Sequence, residues 1–299
     1  MGTETRSPRL TGLDLWPDRD VLDTLVEGQM AAVAAVRAVI PELERLEGPA
    51  AARLAAGGRL VYVGAGTSAR LAVQDGVELT PTFDWPPERL VFLIAGGEAA
   101  LTGAIEGAED DAAAGKAAVA AASVEADDVV IALAASGRTP YTVAALSEAR
   151  QRGALTVGIA NNPATPLLEA ADHAILLETG PEAIAGSTRM KAGTAQRVLL
   201  TVLSSCLMVR LGRVHDGYMV DLRATSRKLE RRAVAMVTAI TGAGADAAAA
   251  ALERCRGRVK PAILILSGES GPEAALRRLD RHGGRLRPAL AALKDGEKT

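Results

Sequence analysis

The chain has 299 residues, 48% of them hydrophobic and 23% charged, which is typical of a globular protein with one main core and a smaller appendage. A net charge of −2 and only 2 Trp, 3 Tyr and 2 Phe exclude a broad nucleic-acid surface of basic patches and stacking rings. The chain shows neither a run of about 18 uncharged apolar residues nor, in MGTETRSPRL, an apolar signal core, so we expect a cytoplasmic protein without a membrane span.

The first two thirds of the chain predict an α/β fold. Residues 22–58 have the apolar spacing of one amphipathic helix or two. Short β-branched runs then alternate with longer helix-like stretches, the pattern of βαβ units, and helices are predicted to begin near Ser68, Glu98, Thr139 and Thr165. Near-continuous apolar character in the strands predicts a five-stranded parallel sheet covered on both faces. The predicted strands are Arg59–Val63, Leu90–Ala95, Asp128–Ala134, Leu155–Ala160 and His173–Glu178.

The pattern becomes helical after the fifth strand. Ser187–Leu211 and Asp221–Thr241 predict long helices that pack on the sheet or on a partner subunit. From Gly242 onward, alanine-rich helix-like segments predict a small C-terminal helical domain. We therefore expect an N-terminal helical segment (1–50), a main domain with the long helices (51–241) and a small helical domain (242–299).

The cysteines and histidines do not indicate a metal site. Cys206 and Cys255 have no CxxC spacing and no neighbouring pair of histidines, so neither a disulfide framework nor a zinc site is predicted. We expect both to be buried free thiols. His173 and His282 are interpreted as structural, and His215 as a candidate for a subunit contact.

The first polar turn, GAGTSAR, follows the first predicted strand and opens a helix. Gly66 allows a sharp turn and a close approach of the backbone to a ligand. Thr67, Ser68 and Arg70 add hydroxyls and a cation at a helix N-terminus, which favours an anion. Ala69 stands where the dinucleotide-binding fingerprint has its third glycine, and no acidic residue follows at the ribose position. Simple helix capping explains this turn equally well.

A second polar turn follows the third predicted strand. Ser136, Gly137, Arg138 and Thr139 again place hydroxyls, a glycine and a cation at a strand-to-helix junction. The carboxyl ends of parallel strands converge in the crevice where open α/β sheets bind ligands. A phosphate group is therefore the expected ligand, with capping alone as the alternative.

A third polar segment, GPEAIAGSTRMKAGTAQ, precedes a long apolar helix. Its hydroxyls and cations are Ser187, Thr188, Arg189 and Lys191. A solvated loop is one interpretation, but so many small polar residues ahead of a buried helix favour a binding loop.

Four segments, taken in order, resemble the N-acetylmuramic acid 6-phosphate etherases of the sugar isomerase (SIS) fold superfamily. They are GAGTS with Arg70, EGAED at Glu106–Asp110, ASGRTPY at Ala135–Tyr141 and GSTRMKAGTAQ at Gly186–Gln196. The similarity extends from about Leu13 to the C-terminal tail. It implies a three-layer αβα sandwich with a small C-terminal helical domain. It further implies an amino-sugar phosphate ligand, a homodimer with sites near the subunit interface, and no metal or other cofactor.

The resemblance also implies a lyase reaction in cell-wall recycling. D-Lactate is eliminated from C3 of the sugar and water is added, which gives N-acetylglucosamine 6-phosphate. By the same resemblance Glu78 is the proton donor and Glu109 the second acid/base group, since positioned carboxyl groups can serve both C2 and the leaving oxygen. The apolar neighbours Val77 and Leu79 predict partial desolvation of Glu78.

Two other functions stay open. A non-catalytic sugar-phosphate-binding regulator, like the glucokinase regulatory protein, shares these turns but resembles a duplicated arrangement too long for this chain. An aldose–ketose sugar-phosphate isomerase would move the C2 proton without releasing lactate. The chain departs from the etherase pattern at Ala69 and at Leu79–Thr82, where Gly and Cys-Pro-Pro-Thr are usual, so the substrate's side groups could differ.

Overall fold

The computed structural model describes residues 2–222 and 226–296. Their contacts divide them into two compact units. The first unit contains the described residues of Met1–Val77 and Pro87–Ser204, and the second contains those of Glu78–Pro86 and Ser205–Thr299.

The first unit begins with two short 3-10 turns, Pro8–Leu10 and Leu13–Leu15, and two long helices. Helix α1 spans Asp18–Ala38 and helix α2 spans Ile40–Ala55. The break falls at Val39, because Pro41 in the first turn of α2 has no N–H to donate to a preceding turn. Residues 22–58 therefore contain two helices, one of the two alternatives that the sequence predicted.

The five predicted strands are present and form one parallel sheet. They are β1 (Leu60–Gly64), β2 (Leu90–Ile94), β3 (Val129–Leu133), β4 (Leu155–Ala160) and β5 (His173–Leu176). Their order is β2-β1-β3-β4-β5, with Gly64 of β1 opposite Leu133 of β3. The direction of winding reverses between β1 and β3, so the ligand crevice is expected at the carboxyl ends of these two strands.

Helices cover both faces of the sheet. The short helix α4 (Ala99–Thr102) follows β2. One face of the sheet packs under α5 (Ala112–Ala121), α6 (Pro140–Gln151) and α7 (Pro166–Ala170), with a core that includes Val61, Val130 and Leu146. On the other face Tyr62 stacks on Phe92, with ring centroids 5.7 Å apart. There its hydroxyl donates to Asp75 of α3 (Gly66–Phe83). The predicted αβα sandwich is confirmed.

Helix α8 (Lys191–Arg210) follows the sheet. Among the described residues it is the one single helix that is long and apolar enough to cross a bilayer; two further candidates are bent helix pairs. Within this protein, however, 56% of the most apolar stretch of this helix is buried. Its Arg197 lies mid-helix and donates to the Asp75 carboxylate over 3.3 Å. Packing inside the protein therefore accounts for its apolar surface.

The second unit is mainly helical. It contains a two-stranded hairpin, β6 (Val214–His215) and β7 (Tyr218–Met219). The helices of this unit share one hydrophobic core, which includes Met236, Leu252, Ile263 and Leu279. The helices are α9 (Arg227–Thr241), α10 (Ala245–Arg254), α11 (Val259–Leu266), α12 (Pro272–Arg281) and α13 (Leu286–Lys294).

The structure changes two expectations from the sequence for this part of the chain. Helix α9 packs with the C-terminal helices, so the second unit begins before the predicted boundary at residue 242. Cys255 is buried in the core as expected. The expected burial of Cys206 is wrong, because its position on α8 leaves it exposed.

Candidate functional site

A cavity of about 370 Å³ opens in the first unit beside the first turn of α3. Gly66, Thr67 and Arg70 line it from α3, and Ile105 and Glu109 line it from the segment that follows β2. Because it adjoins the carboxyl end of β1, it lies at the edge of the sheet where parallel α/β folds bind ligands.

The residues of the first polar turn have different roles. Gly66 adopts a φ of +53°, which side-chain-bearing residues rarely adopt. Thr67 lines the cavity. Ser68 instead is buried and donates to Gln196 Oε1 over 2.8 Å. The Ser68 hydroxyl is therefore used inside the protein, and Thr67 is the hydroxyl residue of this turn that lines the cavity.

Arg70 connects the first turn to the segment that carries Glu109. Its Nε donates to the carbonyl of Ala100 over 3.1 Å, and its Nη2 donates to the carbonyl of Gly103 over 2.7 Å. Glu109 follows Gly107, whose φ of +70° bends the chain, and lies exposed on the 3-10 turn Ala108–Asp110. Arg70 thus contributes positive charge to the cavity and also holds the backbone leading to Glu109.

The second polar turn lies at the end of β3, the strand next to β1. A side chain at Gly137 would lie 2.3 Å from Thr165 Oγ1, and its φ is +67°, so this position requires glycine. The backbone N–H of Arg138 donates to Ser136 Oγ, and its guanidinium donates to the Ala164 carbonyl, each over 3.2 Å. Thr139 makes no side-chain cap bond to α6. Capping by Thr139 therefore does not account for this turn.

The third polar segment is anchored by a residue that the sequence analysis did not single out. Glu182 is fully buried and accepts from the backbone N–H groups of Lys191 and Ala192 over 2.9 and 2.8 Å. A carboxylate at a helix N-terminus satisfies free amides and the helix dipole. The amides that a phosphate would use at the start of α8 are therefore already occupied.

The predicted side chains of this third segment surround that anchor. Ser187, Thr188 and Lys191 are half-buried and Arg189 is exposed. Helix α8 approaches α3 at Gly193, where an added Cβ would lie 3.6 Å from Thr67 Cγ2. The structure thus brings the first and third segments together through α8.

A chain of buried amides supports these turns. Gln196 Nε2 donates to Asn161 Oδ1 over 3.0 Å, and Asn161 Nδ2 donates to the Leu177 carbonyl over 3.2 Å. Neither residue was predicted as part of the site, although Gln196 belongs to the third motif. Both residues are buried. Buried polar groups that are all satisfied in this way fix the geometry of a site.

Asp75 is a further buried polar residue that the sequence pattern did not indicate. Burial raises the pKa of its carboxyl, while hydrogen bonds from Tyr62 and Ser204 and the Arg197 guanidinium oppose that rise. Ser204 Oγ donates to Asp75 Oδ1 over 3.2 Å. The hydrogen bonds of Asp75 with Arg197 and Ser204 join α3 to α8.

Glu78 lies in the part of α3 that belongs to the second unit, and its side chain is exposed. Val77 is also exposed, whereas Leu79 is buried. The predicted desolvation of Glu78 by these two neighbours is therefore wrong for the chain as folded here. Among the residues that line the cavity, Glu109 is the predicted catalytic carboxylate.

Comparison with known proteins identifies the family. Residues 45–150 match the glucokinase regulatory protein N-terminal SIS domain, and residues 112–206 match the SIS domain. The N-acetylmuramic acid 6-phosphate etherase of Deinococcus radiodurans is 56% identical over 88% of this chain and 87% of its own length. The chain belongs to the N-acetylmuramic acid 6-phosphate etherase family.

Other etherases are similar to this chain over the same extent. The etherase of Symbiobacterium thermophilum is 48% identical over 88% of each chain. That of Salmonella typhimurium is 45% identical over 88% of this chain and 89% of its own. The family resemblance found in the sequence is confirmed. The cavity has cationic and hydroxyl groups on α3 and a carboxylate on the facing segment.

Proposed function

We propose that this protein cleaves the D-lactyl ether of N-acetylmuramic acid 6-phosphate. The products are D-lactate and N-acetylglucosamine 6-phosphate, so the enzyme is a carbon–oxygen lyase. The observation that carries the proposal is 56% identity, over 88% of the chain, to a protein named for this activity. The cavity supports it, because the turn proposed to bind phosphate and the carboxylate of Glu109 line the same space.

The reaction needs acid/base groups rather than a strong electrophile. Opening of the sugar ring gives an aldehyde that acidifies the proton on C2. A base removes that proton, the lactate oxygen leaves C3 with a proton from an acid, and water then adds to the double bond. Glu78 is the proposed proton donor and Glu109 the proposed second acid/base group. Glu109 lies exposed at the cavity, where it can exchange protons with a ligand and with water.

The sugar phosphate binds, in this proposal, between the two turns at the ends of β1 and β3. Gly66 and Thr67 supply a helix N-terminus and a hydroxyl, and Arg138 and Thr139 supply a cation and a hydroxyl that caps no helix. Anions bind at helix N-termini because free N–H groups and the helix dipole favour negative charge. The third segment contributes Ser187, Thr188, Arg189 and Lys191 as side chains, since Glu182 occupies the amides of α8.

The protein is proposed to act as a homodimer with sites near the subunit interface. Helix α1 supports this proposal with an apolar stripe, Leu22, Val26, Met30 and Val33, whose side chains are 50% to 67% exposed. A contiguous apolar stripe on a helix usually meets a partner. We also propose a cytoplasmic location, because a charged sugar phosphate does not cross a bilayer unaided and must be used in the compartment where it is formed. The proposed reaction gives the enzyme a role in cell-wall recycling.

The deciding experiment is D-lactate release from N-acetylmuramic acid 6-phosphate by the purified protein in D₂O without added metal. Lactate together with deuterium at C2 of the product is expected and would establish elimination followed by addition. Isotope exchange with sugar interconversion but no lactate would favour an aldose–ketose isomerase. Binding of sugar phosphates with neither lactate nor exchange would favour a non-catalytic regulator.

A further inference from the structure

The lining of the cavity combines polar and apolar side chains. Thr67, Arg70 and Glu109 are polar residues of this lining, and Thr67 and Glu109 take part in the phosphate binding and the acid/base chemistry proposed above. The remaining lining consists of alanine and glycine residues, a second carboxylate at Glu106, and one larger apolar side chain, Ile105. Ligand pockets hold the apolar parts of their ligands against apolar side chains, so the position of Ile105 bears on which part of the substrate lies beside it.

Ile105 is held in place although it is 46% exposed. An added Cβ at Gly96 would lie 2.9 Å from Ile105 Cβ and 3.0 Å from its Cγ1, so the isoleucine packs directly over the Gly96 backbone. Gly96 has a φ of +80°, which further favours glycine at that point. The Ile105 carbonyl also accepts from the N–H of Ala108, which fixes the segment leading to Glu109.

We propose that Ile105 contacts a methyl group of the substrate and thereby determines specificity for the side groups on the sugar. This inference rests on the proposed function. The proposed substrate has two methyl groups, one on the acetamido group at C2 and one on the lactyl group at C3. Both lie next to the carbons at which the proposed chemistry takes place, and Glu109 is four residues from Ile105 in the same segment. Either methyl group would cover apolar surface that water covers in the free protein.

Substrate analogues that lack one methyl group each test this inference. The analogues are the N-formyl compound, without the acetamido methyl, and the glycolyl ether, without the lactyl methyl. Ile105→Ala should lower kcat/KM for lactate release from the full substrate by about tenfold, the usual effect of one lost apolar contact. With the analogue that lacks the contacted methyl group, the same substitution should have almost no effect, and that analogue identifies the methyl group.

Ile40→Ala is the matched control. Ile40 begins α2, is 50% exposed and is not among the residues that line the cavity. Its kcat/KM should equal that of the wild type with all three substrates, and thermal melting of both variants checks that they are folded.

Equal losses in Ile105→Ala with the full substrate and with both analogues would overturn the inference, as would no loss at all. A wild-type protein that releases neither lactate nor glycolate would instead refute the proposed function, and this inference with it. Wild-type activity with an unchanged Ile105→Ala variant refutes only the role of Ile105.

Discussion

Removal of the Glu182 carboxylate should destabilise the start of α8. In Glu182→Ala, the N–H groups of Lys191, which is half-buried, and of Ala192, which is buried, lose the oxygens that lie 2.9 and 2.8 Å away. A buried donor left without an acceptor costs about 1–3 kcal/mol. Two such donors, partly relieved by water, give a loss of about 3 kcal/mol. In a domain of this size that loss lowers the melting temperature by about 6–12 °C.

Scanning calorimetry at a fixed protein concentration measures this shift. Glu182→Gln keeps an acceptor oxygen and should fall between the wild type and Glu182→Ala. Glu178→Ala removes an exposed glutamate of the same connecting segment and should melt like the wild type. Hydrogen exchange adds a local measurement, because the amides of Lys191 and Ala192 should exchange faster in Glu182→Ala alone.

Two results would refute this reasoning. Glu182→Ala could melt with the Glu178→Ala control, or it could melt early while both amides stay as protected as in the wild type. The first result would mean that the buried carboxylate contributes nothing to stability. The second would mean that it acts elsewhere than at the start of α8.

Four further predictions concern catalysis, binding, pH and assembly. Glu78→Gln and Glu109→Gln should bind the sugar phosphate but lose at least about 100-fold in lactate release; full activity in either variant removes that glutamate from the mechanism. Arg138→Ala should weaken binding about tenfold, measured by calorimetry, through loss of a charged hydrogen bond; unchanged affinity counts against the second turn. Burial raises the pKa of Asp75 above its usual value, so protonation of this carboxyl is more favourable in the native state than in the unfolded state. Its contribution to stability is complete below the unfolded pKa and is lost as pH rises through the native one. Asp75→Asn should flatten that part of the pH–stability curve, and an unchanged slope contradicts the prediction. Met30→Lys should yield monomers in sedimentation; an unchanged dimer mass excludes α1 from the contact.

The strands were predictable because each is a short apolar run between turns. Strand β3, Val129–Leu133, is buried along its whole length, and such a run has few alternatives in a chain of βαβ units. The two polar turns were predictable for the same reason, since glycine and hydroxyl residues that end such strands fall at one edge of the sheet. The placement of α9 was not, because an amphipathic pattern shows that a helix has a core-facing side but not which core it joins.

The roles of single side chains were less predictable. Ser68 lies on the same face of α3 as Ala72 and Asp75, which are both buried, and this spacing of four and seven residues would have predicted that Ser68 faces inward. Glu182 precedes α8 by nine residues in a loop, and no local spacing rule connects a carboxylate to amides so far along the chain. Such contacts depend on the path of the loop, which the sequence pattern does not determine.

The buried amides beneath the first turn have a direction. Ser68 donates to Gln196, Gln196 donates to Asn161, and Asn161 donates to a main-chain carbonyl that cannot rotate. Reversal of any one group would place a donor against a donor or an acceptor against an acceptor, at a cost of about 1–3 kcal/mol. The residues at these three positions therefore depend on one another. A homologue that has a different residue at one of them is expected to differ at all three.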